Sequence, residues 1–598
     1  MLWIADRYSA AGHGTALWDW PTAPRVSAQQ GTRIRTAVAE DTAIAVVGSC
    51  HASDAEVHEG ITAVRARQWQ RLTHWPGSYW VIAWHQGTTT VLTDLCGSRP
   101  VYYTSHPHGC AWSSSARLLA ASHQRALDDT ALSALLTCPT VPEIVAERTT
   151  FREVYRVPGG HLLHVTPTGS VVRPYEPPPP HTDSGVAAPR LRHALLRAVL
   201  ARVRNTTGPI STDLSGGLDS SSIALLTAQA TRAPLLALTR TTGAEDEDQR
   251  YAIACAEEFP NLHHRVVHDE RHALFTQLDR VPPTDQLFSD APRWGTHTSY
   301  HQMIRAHGST LHLSGSGGDT LLASVPFALA DLTAPPQWRS LLQHARDYAD
   351  TRHQATASVL SRSFALARTS PSQALRSFAS SVENPDGTWR RPRPKDRLTW
   401  FPPPSFAAWL TKDAQKELAQ RAHAAAQAAA RDSASQPSSR DRAWAELHEY
   451  GTHHAERRAQ FSAVGVYLDS PFLDNEVIRA CMSLPVAQRY STHRQKPLLG
   501  SALEGLVPRY VLERPTKGSH DTAAYTSIHA NAATLRQIVH ESRLADRGVI
   551  DRNAVRDDLE RLIAGAPGRL ALFESFLAAE LWLAHNERPV AAHGGSDF

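Results

Sequence analysis

Asp213–Ser222 reads DLSGGLDSSS, with the short strand-like stretch Ile210–Leu214 leading into it and the Ala/Leu-rich run Ser220–Ala230 leading out. The local pattern predicts a β-strand, a Ser-Gly-Gly turn and a helix start. Glycines let backbone N–H groups approach a ligand without Cβ obstruction. A helix start adds unpaired N–H donors and a partial positive charge. With the hydroxyls of Ser215, Ser220 and Ser221 the turn becomes a concave anion site suited to pyrophosphate. Asp219 beside a phosphate calls for an intervening cation, so it implies Mg²⁺. The bland alternative is a Ser/Gly turn that only caps a helix. The spacing does not match GxxxxGK[ST], so this is not a Walker loop.

Outward from that stretch, residues 209–330 alternate in pattern. Strands are expected at Leu235–Thr239, His264–Val267 and Thr310–Leu313, and helices at Ser220–Ala230 and Asp248–Glu258. Such alternation argues for a parallel sheet covered by helices. The Thr310–Leu313 run ends in Ser314–Asp319, SGSGGD. Asp219 and Asp319 then both follow C-terminal strand ends, where open α/β sheets gather their ligands; Asp319 also reads as a simple loop or cap residue. From about 340 the pattern is mostly helical, with Ala422–Ala430 a helix and Asp432–Ser439 a loop.

Upstream, residues 1–170 read as short strands with few helices: Thr42–Val47, Tyr79–Trp84, Thr89–Leu92 and His161–Val165, with Gln86-Gly87 as a hairpin tip. Arg173–Asp183, RPYEPPPPHTD, is the best boundary, because four consecutive prolines continue neither a helix nor a central strand. An amphipathic helix is expected at Val186–Arg204. The expected domains are therefore 1–172, a linker 173–184, and 185–598.

The chain has 598 residues, more than one core accommodates, and a net charge of +3. It shows no basic stripe with interleaved aromatics, so no nucleic-acid partner is expected. No apolar run is long enough to span a membrane, and the start MLWIADRYSAAGHG lacks a signal-peptide pattern, so a cytoplasmic location is expected. The six cysteines form no CxxC pair. His263-His264 and His453-His454 read as surface pairs. Lysine occurs only at Lys395, Lys412, Lys416, Lys496 and Lys517. A guanidinium does not copy a compact ammonium at a tight site, so a lysine near these motifs is a functional candidate.

The SGGLDSS loop and the SGSGGD loop resemble those of the asparagine-synthetase-like ATP pyrophosphatases. Tyr467–Arg479 (YLDSPFLDNEVIR), Arg494–Pro508 and Arg514–Ser519 (RPTKGS) resemble that family's C-terminal run. Thr93–Tyr103 and Phe151–His161 resemble segments of its glutaminase domain. The resemblance implies an α/β architecture: an N-terminal glutaminase-like αββα sandwich, then a C-terminal ATP-pyrophosphatase parallel-sheet domain with many helices. It implies ATP and Mg²⁺ as cofactors, with Asp219 and Asp319 on the metal. Nucleotide contacts are implied for Leu214, Ser215, Gly216, Gly217, Leu218, Asp219, Ser220 and Ser221, and for Thr239, Glu247, Ser314, Gly315 and Gly317. Glu247 is equally explained as an acid complementing a helix dipole. Lys517 matches a lysine that contacts pyrophosphate and the reacting acyl group; the alternative is a solvated loop lysine. Lys496 is the second lysine candidate, with a surface or helix-start role as its alternative. Pro471–Asp474 reads as a structural corner.

Two departures narrow the expectation. Three residues before Asp319, asparagine synthetases carry a glutamate and β-lactam synthetases a tyrosine; here Ser316 stands, a poor general base. The family's glutaminase uses a cysteine at its mature N-terminus, whereas here Met1 is followed by Leu2 and the first cysteine is Cys50. The combination looks most like the lasso-peptide macrolactam synthetases. These adenylate an Asp or Glu side chain of a precursor peptide, and the peptide's own N-terminal amine attacks. A precursor peptide substrate, with a leader peptidase and a leader-recognition protein as further partners, is the corresponding expectation. The alternatives are a β-lactam synthetase or an asparagine-synthetase-like amide ligase on a small molecule, and a non-catalytic scaffold.

Overall fold

The computed structural model describes residues 33–106, 109–241, 247–268, 274–323, 325–335, 337–385, 398–431, 437–489, 495–514, 521–566 and 568–587, together with 2–4, 15–17 and 26–28. Thr42–Cys50 and Gly77–His85 are buried along nearly their whole length, which requires cover on both faces of their sheet. Successive side chains point to opposite faces. Ala43, Ala45, Val47, Trp80, Ile82 and Trp84 meet Trp112 and Leu163 in one apolar layer. Ile44, Val46, Val81 and Ala83 face the other way, toward Val57, Ile61 and Val64 of the helix Asp54–Arg65. The strands belong to an antiparallel six-stranded sheet. Its order is Gly169–Pro174, His161–Thr166, Thr88–Leu92, Gly77–His85, Thr42–Cys50, Ile34–Ala39. Small three-stranded sheets complete the N-terminal domain, one of them Tyr155–Arg156, Tyr102–His106, Gly109–Ser113. Gln86 and Gly87 have φ of 47° and 78°, the left-handed pair a two-residue hairpin needs.

More helix is present in this half than the strand-and-turn reading expected. Asp54–Arg65, Ala116–Ser122, Asp129–Thr137 and Pro142–Val145 are helical, three of them capped by Ser53, Ser115 and Asp128. These helices are short, so a strand-rich background hid their period.

The proline-rich segment is held, not loose. Tyr175 is buried with its hydroxyl donating to the Thr93 carbonyl at 3.1 Å, and Glu176 takes a two-point contact from Arg479 at 3.0 and 2.7 Å. Asp183 then caps the helix Ser184–Arg204.

The second domain is built on a parallel five-stranded sheet. Its order is Leu262–His268, Leu235–Thr241, Ile210–Asp213, Leu311–Leu313, Tyr467–Asp469. The last strand lies in Tyr467–Arg479, which the sequence offers only as a resemblance to the family's C-terminal run. At three residues it is too short for an alternation signal. The helices around the sheet include Leu218–Ala230, Glu247–Glu257, Lys412–Arg431 and the 25-residue Ser439–Ala463. The expected loop Asp432–Ser439 falls mostly on residues 432–436, outside the described residues; Ser439 itself starts the long helix, capped by Ser438.

The surface reading of His453-His454 is overturned. His454 is buried, and His453 pairs with Asp290 at 3.3 Å under the ring of Phe288. Both lie on the long helix where it runs between the two domains.

No described helix is long and apolar enough to cross a membrane.

Candidate active site

The central strand Ile210–Asp213 ends at Leu214, whose N–H donates to the Leu238 carbonyl at 2.8 Å. The chain then turns on Gly216, with φ of 75°. A Cβ there would lie 2.1 Å from the Asp248 carbonyl oxygen, so backbone conformation and space both require glycine. Gly217 precedes the helix Leu218–Ala230 without a side-chain cap. A helix start leaves its first-turn N–H groups without intrahelical acceptors. Ser215 and Ser220 brace the turn through a 2.7 Å hydroxyl contact.

The SGSGGD loop packs directly against this turn. A Cβ on Gly318 would lie 2.4 Å from the Asp219 carboxyl carbon. Asp219 and Asp319 are thereby brought to one place although 100 residues separate them in sequence. Both carboxylates contact Lys496: Asp319 Oδ1 lies 2.6 Å from Nζ, and Asp219 Oδ2 is also in ion-pair contact. The Lys496 side chain is only 10 % exposed, and Asp319 is 63 % exposed. One wall of the site is thus closed and the other open. Lys496 is the residue before the helix Pro497–Leu503, with φ of 47°. This is the helix-start position weighed from sequence, but the side chain reaches into the site rather than to the surface.

Among the described residues no cluster of three or more His, Cys, Asp or Glu could hold a metal by itself. Two converging carboxylates are nonetheless a donor set that suits Mg²⁺, which keeps waters and takes substrate phosphate oxygens for its remaining positions. The ammonium of Lys496 shows that the pair favours positive charge between its members.

The other candidates divide. Thr239 uses its hydroxyl inside the fold, on the Leu214 carbonyl and on His264 Nε2 at 2.7 Å. Ser314 fastens its loop to Ser470, the two hydroxyls 2.9 Å apart. Glu247 begins the helix Glu247–Glu257, 3.6 Å from Arg514. Gly315 and Gly317 form the backbone of the second loop. Lys517 and Gly518 lie outside the described residues. Pro471–Leu473 is a tight helical turn, and Asp474 is buried against Arg202, a corner as expected.

Sequence reasoning missed three groups. Arg514 clamps the first loop: it donates to the Gly216 carbonyl at 2.9 Å, pairs with Asp248 and lies 4.4 Å over the Tyr251 ring. Its position in Arg514–Ser519 was the available signal. Tyr450, from the long helix, receives the Gly317 N–H at 3.0 Å and hydrogen-bonds Ser316. A phenol thus reaches the position where Ser316 replaces a larger residue. Arg457 lies 3.4 Å from the Ser316 hydroxyl and faces Asp213 and Asp290. Burial opposes ionisation of Asp213, but His312, Arg457 and the Tyr300 hydroxyl overcome it and hold the carboxyl at about 2. No spacing links the long helix to the strand ends.

All six cysteines are free, and burial raises every thiol: Cys50, Cys138 and Cys481 to about 12, with Cys96, Cys110 and Cys255 also up. None is poised as a thiolate nucleophile.

Residues 190–584 match the asparagine synthase family model, and residues 49–176 match a glutamine amidotransferase domain. No curated protein matches. One matching solved structure is described as that of the allosteric regulatory enzyme of purine biosynthesis. It is 10% identical over 38% of this chain, at a TM-score of 0.14, too low to speak for a shared arrangement. The chain spans 60% of that protein's length. The family match covers about two thirds of the chain and includes both loops, Lys496 and Arg514. This chain therefore belongs to the asparagine synthase family, with a glutamine amidotransferase-like domain ahead of the matched region.

Proposed function

We propose that the protein is an ATP-dependent lasso-peptide cyclase. It adenylates an Asp or Glu side-chain carboxylate of a precursor peptide and closes a macrolactam with the peptide's N-terminal amine, releasing AMP and pyrophosphate. The supporting observation is the convergence of Asp219 and Asp319 on Lys496, beside a Ser-Gly turn whose helix-start N–H groups suit pyrophosphate. The raised thiols favour an amine already carried by the substrate over ammonia freed from glutamine, because glutamine hydrolysis needs an activated nucleophile.

In this reading the Ser215–Ser221 turn would hold the β- and γ-phosphates, and Asp219 and Asp319 would hold Mg²⁺. The metal, when bound, neutralises phosphate charge. Arg514 keeps the turn in shape. Lys496, which meets both carboxylates, and Lys517 would stabilise charge developing on the acyl oxygen and the leaving phosphate. Tyr450 and Ser316 fix the second loop. Enclosing amine and activated acyl group in one peptide makes closure unimolecular.

The test is incubation with ATP, Mg²⁺ and synthetic precursor peptides, with and without a leader peptidase and leader-binding protein. The readouts are ATP–pyrophosphate exchange and peptide mass. Peptide-dependent exchange with loss of one water is expected. Exchange driven only by free aspartate or a small β-amino acid would replace this reading with a small-molecule ligase.

A further inference from the structure

A cavity of about 250 Å³ lies at the joint between the domains. Leu136 and Val145 line it from the N-terminal domain, and Leu287 and Ala445 from the synthetase side. Its volume is below that of pockets enclosing whole ligands, and suits the end of a chain.

The charges in its wall are unevenly committed. Arg156 lines the cavity, but its guanidinium is spent on the Gly97 carbonyl at 2.6 Å and on Thr452. Arg148 faces Asp128 at 3.7 Å. Glu147, also in the lining, is exposed. Glu449 lines the cavity from the long helix and makes no ion pair among the described residues; Arg156 and His453 are the nearby charges that favour its ionisation. Burial raises its pKa, against the pull of His453 and Arg156.

The cavity adjoins the adenylation site through one turn of helix. His453 lines it, four residues after Glu449, and stacks on Tyr450 with ring centroids 6.1 Å apart. Tyr450 in turn touches Ser316 and Gly317. A group seated against Glu449 is therefore one side-chain layer from the loop that carries Asp319.

We propose that this cavity binds the primary ammonium at the end of a peptide chain, with Glu449 as its carboxylate partner. The apolar wall accepts the first residue, and the carboxylate accepts hydrogen bonds from the –NH₃⁺ group. The inference rests on the ligase reading for its biological sense, but its binding test needs no nucleotide.

The probes are glycinamide, which carries the ammonium, and N-acetylglycinamide, which does not, each titrated by NMR into the full chain without ATP. Glycinamide is expected to bind and the acetylated amide not to bind. Glu449→Gln should weaken glycinamide about tenfold, the effect of removing one charged hydrogen-bond partner. Ala445→Leu, which fills the cavity without touching a charge, should also block binding. Unchanged thermal melting would show that both variants fold. Equal binding of the two probes, or wild-type affinity in both folded variants, would overturn the proposal. Missing ATP–pyrophosphate exchange alongside normal glycinamide binding would strike the ligase reading and leave the cavity assignment standing.

Discussion

Lys496 is held in left-handed backbone, with φ of 47°, a conformation that costs a non-glycine residue energy and persists only where its surroundings impose it. What imposes it here is the pair of carboxylates that its ammonium bridges. Lys496→Met removes the ammonium at similar side-chain length. Peptide cyclisation should fall at least about 100-fold, in the range seen when one preorganised electrostatic contact to a transition state is deleted. Single-turnover kinetics checks this, with circular dichroism showing a retained fold. The aspartates that Lys496 bridges were legible in the sequence, because each follows a strand end and a glycine pair. Lys496 stood out only through the rarity of lysine, since nothing in RQKPLL says where a side chain on a helix boundary points. Tyr450 and Arg457 were not legible at all: their helix is polar, histidine-rich and more than 130 residues from the loop they touch.

At the scale of elements, the two loops act as one piece because their backbones nearly touch. Gly216→Ala forces a side chain into positive φ and toward the Asp248 carbonyl at 2.1 Å. The expected cost is about 1–3 kcal/mol of strain, with further loss from displacing the Arg514 clamp. Thermal melting should show a lower midpoint, and nucleotide affinity should fall with it. The strands on which these loops hang were readable as short runs bounded by turn residues; Leu235–Thr241 and Leu262–His268 exceed their readings by two or three residues, and Ile210–Asp213 and Leu311–Leu313 fall one short. The strand Tyr467–Asp469 was not, because three residues carry no period. It earns its place by pairing with Leu311–Leu313 and by presenting Asp469 to Arg202.

Across the whole molecule the two domains share one apolar core and a buried polar weld. Arg202, 1 % exposed, donates to Asp469 at 2.8 Å and to Asp474, and Asp474 accepts the Gly77 N–H of the N-terminal domain at 3.1 Å. Arg202→Met leaves two buried carboxylates without their cation. It should cost about 3–5 kcal/mol in urea unfolding. Acid should act throughout the molecule as well. Burial holds His51 at about 4 and His301 and His448 at about 3, each below the ordinary 6.5. The unfolded chain then binds more protons than the native one, so these groups withdraw stability as pH falls from about 6.5 toward 3. The buried carboxyls Glu449 and Glu580, raised by desolvation, act in the opposite sense above about 4.5. His301→Phe should therefore flatten the loss of stability between pH 7 and pH 5, read by urea denaturation at both. What joins all three scales is the proposal that Asp219 and Asp319 form the magnesium–nucleotide site of an amide ligase. Crystals soaked with Mg²⁺ and α,β-methylene-ATP test this directly. The triphosphate should lie on the Ser215–Ser221 turn with metal between the two carboxylates and Lys496 displaced. A nucleotide bound elsewhere, with Lys496 still bridging an unaltered pair, would contradict it.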